Sequence, residues 1–278
     1  MRFSLVTPTL GREKELERLL DSLLEQSFDD FEIILVDQNP DGRLDPLVSR
    51  YRDVLHLHHL RSPRRGASRA RNTGLARCRG EIVAFPDDDC WYPRDLLERV
   101  DRFFTRHPEV DVLCTRLVDG RGASCILDFD TEPGPIDRIN VWRRSIESTM
   151  FLRRESTRRL WFDESLGTGS GTPWGSGEGT DYLLQLMDRG ASLYYDPEIA
   201  VMHDPPVPPF DERAMRRAYT YGCGMGRVLK KHKYPAGAKL RLLGAPLGQA
   251  LRSAAGAKGG AARYHLRVFG GRARGLMM

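Results

Sequence analysis

Several signatures are missing from the chain, and each absence closes a class of function. No C-x-x-C pair occurs among its five cysteines, at positions 78, 90, 114, 125 and 223. An odd number cannot all pair within one chain, so reduced thiols in a cytosolic setting are expected. No window approaches the roughly 18 apolar residues that a spanning helix needs. The opening "MRFSLVTPTL" is too short an apolar stretch for a secretory signal, so no membrane crossing is expected. The first strand candidate runs into "TPTLGREKEL", with one glycine where G-x-G-x-x-G needs three, and no G-x-x-x-x-G-K-[ST] occurs. Phosphate must therefore be held by something other than a glycine cradle.

Acid is missing from the last quarter. After Glu212 there is no Asp or Glu but there are 15 Lys and Arg, so residues 213–278 carry +15 and residues 1–212 carry −10. A basic tail on an acidic body commonly docks on an anionic surface, membrane or nucleic acid. At 278 residues with 40% hydrophobic content, the chain is long enough for one large domain plus an appendage.

What is present reads as alternating strands and helices. "FSLVT" at 3–7 is a strand stopped by Pro8, and Leu16, Leu19, Leu20, Leu23 and Leu24 follow at the spacing of one helix face. "FEIILVD" at 31–37 is an apolar run of the kind buried on both faces of a parallel sheet. A weak helix at 43–52, a strand at 54–60, a loop and short helix in "GASRARNTGLARCRG", the strand "EIVAFP", an amphipathic helix at 93–107 and a strand at 110–118 complete the series. Such alternation implies βαβ units and an α/β fold with a mostly parallel, Rossmann-like doubly wound sheet flanked by helices. The second half offers a strand at 148–154, the Gly/Ser loop "GTGSGTPWGSGEG" at 167–179 and a helix at 180–190. A strand in "ASLYYDP", a proline-stopped exit in "IAVMHDPP" and a basic helix at 210–232 follow.

In parallel sheets ligands bind beyond the carboxyl ends of the strands. Thr7, Pro8, Asp37 and the triplet Asp87, Asp88 and Asp89 all stand at such ends, so one crevice gathers them. Three adjacent carboxylates repel one another, and a divalent cation removes that cost. Mg²⁺ and Mn²⁺ take oxygen ligands, often one or two carboxylates plus substrate phosphates. On an extended segment residues i and i+2 point the same way, so Asp87 and Asp89 aim at one site. The competing reading of the triplet is a solvated acidic turn that caps the next helix.

"SLVTPTLGREKELERLLDSLLEQSFDDFEIILVDQ", "GASRARNTGLARCRGEIVAFPDDDCWYP" and "GEGTDYLLQLMDRG" together resemble the family 2 glycosyltransferases, nucleotide-sugar-dependent enzymes of GT-A fold, over about residues 1–205. The resemblance implies that Thr7, Pro8 and Thr9 line the nucleotide pocket and that Asp37 hydrogen-bonds the base. The family usually continues this acid with a second acid and Gly-Ser, where this chain reads "DQNPDG". Arg69, Arg71 and Asn72 fall in the family's segment bordering the nucleotide. Asp87 and Asp89 match its D-x-D motif, Asp87 near the ribose and, with Asp89, a candidate metal ligand for Mn²⁺ or Mg²⁺. Asp88 is counted with the nucleotide-sugar residues, although alternation turns it to the other side, where a structural part suffices. His203 stands where many members have a histidine reaching back to the metal.

The reaction that the resemblance implies needs a base for the acceptor hydroxyl. The family presents Glu-Asp before its late helix, with the Asp as base, but here Gly179 follows Glu178. The base is then Asp181 or Glu178, with Asp181 favoured because a helix start holds a carboxylate against the N-terminal dipole. Trp174 in the glycine loop suits stacking on a sugar, and Trp161 with Phe162 suits core packing.

The expected organisation is a nucleotide-sugar-binding half at 1–118, an acceptor-binding and catalytic half at 119–209, and a basic helical C-terminal extension at 210–278. The expected activity is inverting transfer from a nucleoside-diphosphate sugar to a glycan or lipid-linked acceptor. The expected setting is cytoplasmic and peripheral at the inner face of the plasma membrane, with residues 213–278 on anionic lipid. Nucleic acid is not expected as a partner, because no stacking platform accompanies the charge. A nucleotidyltransferase and a nucleotide-sugar-binding module without transferase activity are the alternatives.

Overall fold

The structure is a computed structural model that describes residues 1–205 and 210–278. The expected boundary at 209 and the end of the proline exit at 206 lie outside the described residues. The strands are β1 (Phe3–Thr9), β2 (Phe31–Asp37), β3 (Leu57–Arg61), β4 (Ile82–Ala84), β5 (Cys90–Trp91), β6 (Val112–Val118), β7 (Gly134–Pro135), β8 (Met150–Arg153) and β9 (Leu193–His203). The helices are α1 (Lys14–Leu24), α2 (Asp45–Tyr51), α3 (Ala67–Leu75), α4 (Leu96–Arg106), α5 (Val141–Arg144), α6 (Glu178–Asp188), α7 (Glu212–Lys231), α8 (Ala236–Ala255) and α9 (Gly259–Met277).

Contacts divide the chain into two compact units. The first gathers Met1–Arg65, Arg69–Trp161 and the segment from Tyr182 through β9. It holds one sheet in the order β3-β2-β1-β4-β8-β6-β9-β5, with β7 also paired to β9. β1 to β4 run parallel, β8 is antiparallel to β4 and β6, and β6 is parallel to β9, which makes the sheet mixed and mostly parallel. β1 and β2 are buried along their whole length, as expected of central strands covered on both faces. α1 buries Leu16, Leu19, Leu20 and Leu23, while Leu24, at its end, is exposed. α3 lies so close to the sheet that a Cβ at Gly74 would stand 2.3 Å from Val6.

β1 does not stop at Pro8. Its ladder with β2 continues in register to Thr9↔Asp37, whereas β4 pairs only with Phe3–Leu5. Proline, lacking an N–H, is tolerated where one strand edge has no ladder to supply. "ASLYYDP" and "IAVMH" likewise form one strand, β9, whose register against β6 shifts between Thr115 and Arg116. Trp161 is 50% exposed, so only Phe162 of that pair is core.

The second unit gathers Gly66–Ser68, Phe162–Asp181 and the three long C-terminal helices. Asp211 caps α7 by accepting the Ala214 N–H at 2.7 Å. α9 packs along both α7 and α8. A Cβ at Gly226 would lie 2.2 Å from Arg272 O, and one at Gly271 would lie 2.1 Å from Tyr219 O. Backbone meets backbone at this crossing, and only glycine fits. Pro246 sits inside α8 and cannot donate to Leu242 O. Arg272 Nη1 of α9 donates to that carbonyl instead. Burial lowers the Arg272 pKa to about 10.

Candidate active site

The β1–β2 register sets Thr9 beside Asp37 at the carboxyl ends of the strands. Thr7 and Thr9 are buried, and the Thr7 hydroxyl makes no hydrogen bond. Asp37 is 1% exposed. Its Oδ1 accepts Asn39 N and Asn39 Nδ2, both at 2.8 Å, and its Oδ2 faces His59 Nε2 at 3.0 Å. Asn39 Oδ1 in turn accepts the Gly11 N–H at 2.8 Å. The expected base-binding acid is thus the centre of a turn that ties β2 to the loop after β1. An Asp followed two residues later by Asn at a strand end is the sequence signal for that turn.

The aspartate triplet is resolved into three differently partnered carboxylates. Asp87 Oδ1 accepts Arg71 Nη2 at 2.7 Å, and the Arg71 side chain is almost wholly buried. Burial raises the Asp87 pKa to about 6; Arg71 opposes the rise and Asp89 adds to it. Asp88 is buried and bonded to Arg12 Nη1. Burial raises its pKa as well, against the charge of Arg12. Asp89 pairs with Arg12 Nη2 at 2.7 Å and faces His203 Nε2 at 3.5 Å. Burial pushes the Asp89 carboxyl up, but His203 and Arg12 outweigh it and hold it below its ordinary value. Asp88 therefore has a direct electrostatic part, shared with its neighbour through one guanidinium. Arg12 is absent from the residues singled out in the sequence; its only signal is a lone arginine in the β1–α1 loop.

His203 is delivered by sheet pairing, since β5 is antiparallel to β9 with Cys90 opposite His203. Its Nδ1 bonds to Asp204 O, and a carbonyl can only accept, so Nδ1 carries the proton. Nε2 is then turned toward the Asp89 carboxylate. Burial lowers the His203 pKa, yet the bond and charge of Asp89 more than reverse this and raise it. Asp204 is itself held by Arg18 at 2.8 Å, with the Arg18 guanidinium 3.8 Å above the Trp91 ring.

Among the described residues no group of three or more His, Cys, Asp or Glu side chains is placed to hold a metal ion. The Asp89–His203 pair offers one carboxylate and one imidazole whose other nitrogen is already bonded, the usual arrangement of a metal-ligating histidine. Two protein donors suit Mg²⁺ or Mn²⁺, which take their remaining ligands from phosphate and water. The residues fit such an ion, with Asp87 turned to Arg71 rather than toward the pair. Arg69 bonds Arg65 O at 2.8 Å, and Asn72 is half-buried on α3.

The base candidates belong to the second unit. Asp181 has no exposed surface; Lys231 Nζ stands 2.9 Å from its carboxylate and His232 Nε2 at 2.7 Å. Lys231 also binds Asp163 at 2.7 Å. Burial works against the lysine's charge, but the bonds to Asp163 and Asp181 prevail and raise its pKa. Asp181 thereby fastens the start of α6 to the end of α7. Glu178 is 7% exposed, and its carboxyl packs so closely on Gly167, at φ +97°, that a Cβ there would lie 2.7 Å away. Trp174 is covered by the Arg227 guanidinium, 4.6 Å from the ring centre.

Comparison with known proteins bears on the family and the fold. Residues 4–124 match the family described as Glycosyl transferase family 2. The chain is 32% identical over 139 residues to the poly(ribitol-phosphate) beta-N-acetylglucosaminyltransferase TarS of Staphylococcus aureus, covering 48% of this chain and 24% of that protein. It is 30% identical over 217 residues to the pre-mycofactocin glycosyltransferase of Mycobacterium tuberculosis, covering 72% of this chain and 42% of that one. The aligned chain thus spans less than half the length of these relatives. The structure of TarS 1–349 with UDP-GlcNAc superposes with a TM-score of 0.63 at 19% identity, covering 95% of this chain and 90% of that one. The mannosyltransferase PcManGT of Pyrobaculum calidifontis, solved with GDP-Man and Mn²⁺, gives 0.66 at 18%, covering 99% and 87%. Residues 4–124 thus match glycosyl transferase family 2, and the sheet that carries them has GT-A architecture.

Proposed function

We propose that the chain transfers a sugar, with inversion, from a nucleoside-diphosphate sugar to a hydroxyl of a glycan or lipid-linked acceptor in cell-surface polysaccharide or glycolipid assembly. The observation that carries this reading is the linked set at the strand ends. Thr9 beside Asp37, Asp87 on Arg71, Asp88 and Asp89 on Arg12, and His203 against Asp89 belong to one unit. Relatives support the substrate classes: TarS is named for poly(ribitol-phosphate) and was solved with UDP-GlcNAc, and PcManGT with GDP-Man and Mn²⁺.

In this reading Thr7, Pro8, Thr9 and Asp37 receive the base, while Asp87, oriented by Arg71, receives the ribose. Arg69 and Asn72 border the nucleotide. Asp89 and His203 would hold Mn²⁺ or Mg²⁺, and the imidazole favours Mn²⁺ of the two. A bound divalent ion supplies charge to offset that developing on the departing diphosphate. Glu178 takes the acceptor proton in preference to Asp181, because both the carboxylate and the surface of Asp181 are occupied by Lys231 and His232. The chain works on the cytoplasmic side of the plasma membrane, as a peripheral protein.

Gly179 at the family's base position, together with the enclosure of Asp181, favours one second reading, a nucleotide-sugar-binding module. Release of nucleoside diphosphate from UDP- and GDP-sugars with Mn²⁺ separates the two. Asp89→Ala should lower metal-dependent release by about 10²–10⁴-fold in a chain that remains folded. Full release by that variant would overturn the site, and no release by the native chain on any donor and acceptor would leave the binding module.

A further inference from the structure

The last two helices repeat one exposed pattern that the transferase chemistry does not use. On α8, Leu240 and Leu251 are 74% and 72% exposed, and each is followed by an exposed arginine, Arg241 and Arg252. On α9, Leu266 and Met277 are 51% and 71% exposed, and Arg263 and Arg274 repeat the same interval. An interval of 11 residues is about three helical turns, so the members of each pair stand one above the other. At 3.6 residues per turn each helix places its apolar pair along one edge and its arginines within about 120° of it.

Large exposed apolar side chains are normally scattered singly. Here four lie in two matched rows, beside arginines, in a segment that has no acid after Glu212. No helix among the described residues is long and apolar enough to cross a membrane. An apolar edge flanked by arginine suits the interfacial plane of a bilayer, where the side chains enter the acyl boundary and the guanidiniums hold phosphate. A polynucleotide would call for exposed rings on which bases stack. Phe269 and Tyr264 are half-buried instead, the latter edge-on to Phe210.

We infer that the Leu240/Leu251 face of α8 and the Leu266/Met277 face of α9 dock on an anionic phospholipid bilayer and lie in its interface. This narrows the peripheral-membrane reading to a defined surface, and it stands or falls without donor or acceptor.

The test is co-sedimentation of the full chain with vesicles of phosphatidylcholine alone or mixed with phosphatidylglycerol, at low and physiological salt, with RNA as competitor. Binding to the mixed vesicles is expected, with little on phosphatidylcholine alone. Changing Leu240, Leu251, Leu266 and Met277 together to Ser should weaken partitioning by about a thousandfold, at roughly tenfold per leucine. Changing Arg241, Arg252, Arg263, Arg267 and Arg274 to Gln should remove the preference for phosphatidylglycerol. Binding undiminished in the serine variant, equal binding to both vesicles, or release by RNA would overturn the inference. Leu251→Trp supplies a readout independent of the multiple variants. Its added emission should shift to the blue on mixed vesicles, and an unshifted spectrum would count against docking.

Discussion

The aspartate triplet of the sheet unit and Arg272 of the helical unit settle their buried charges in opposite ways. At the strand ends every carboxylate of the triplet meets a cationic side chain, Asp87 with Arg71, Asp88 with Arg12, and Asp89 with the same Arg12 and with His203. Between α8 and α9 the largely buried Arg272 meets a backbone carbonyl, that of Leu242. The first pattern is side chain to side chain and is written in residue types. The second depends on which backbone groups a proline and a close helix crossing leave over.

The contrast breaks most sharply at the two acids of α6. Glu178→Gln should lower transfer by about 10²–10⁴-fold, the usual worth of a general base, and melt like the native chain. Asp181→Asn should instead cost about 3–5 kcal/mol of stability, because it leaves Lys231 and His232 without their buried partner. Paired urea unfolding and initial-rate measurements check both, and reversed behaviour would return the base to Asp181. Within the helical unit, Gly226→Ala or Gly271→Ala forces a methyl into backbone and should cost about 2–4 kcal/mol, read by thermal unfolding.

A smaller effect is expected at Arg272. Its replacement by Ala should cost about 1–3 kcal/mol for the unsatisfied Leu242 carbonyl. Pro246→Ala returns an N–H to that carbonyl, so the double variant should lose less than the sum, and additivity would deny the substitution of one donor by the other. The smallest effect sharpens the sheet side. His203 is raised above its ordinary 6.5, so its ion-pair contribution is fully present below about pH 6.5 and is lost as pH rises through the raised value. NMR titration of His203 should show this shift, and Asp89→Asn should bring the midpoint down.

The same contrast explains what could be read in advance. β1, β2 and the triplet were legible because apolar runs ending in Thr or Asp carry both fold and site. Arg12, Asn39 and His59 were not, since a single polar residue acquires meaning only when the β1–β2–β3 register sets strand ends abreast. Pro8 misled as a strand stop because its neighbour on one side, β4, is short. Asp181 had the position of a helix-start acid, but its burial comes from Lys231 and His232, some fifty residues away in sequence. The basic extension was legible as charge, while its close helix crossing rests on glycines whose spacing alone does not name a partner helix.

The bond from Arg272 to Leu242 has a mechanical consequence. The glycine crossing fixes α9 against α7, and its glycines do not face α8. One guanidinium seated on one carbonyl supplies a detent: α8 cannot turn about its axis, or slip by a turn along α9, without releasing it. The angular phase between the Leu240/Leu251 row and the Leu266/Met277 row is therefore set by a contact that lies on neither row.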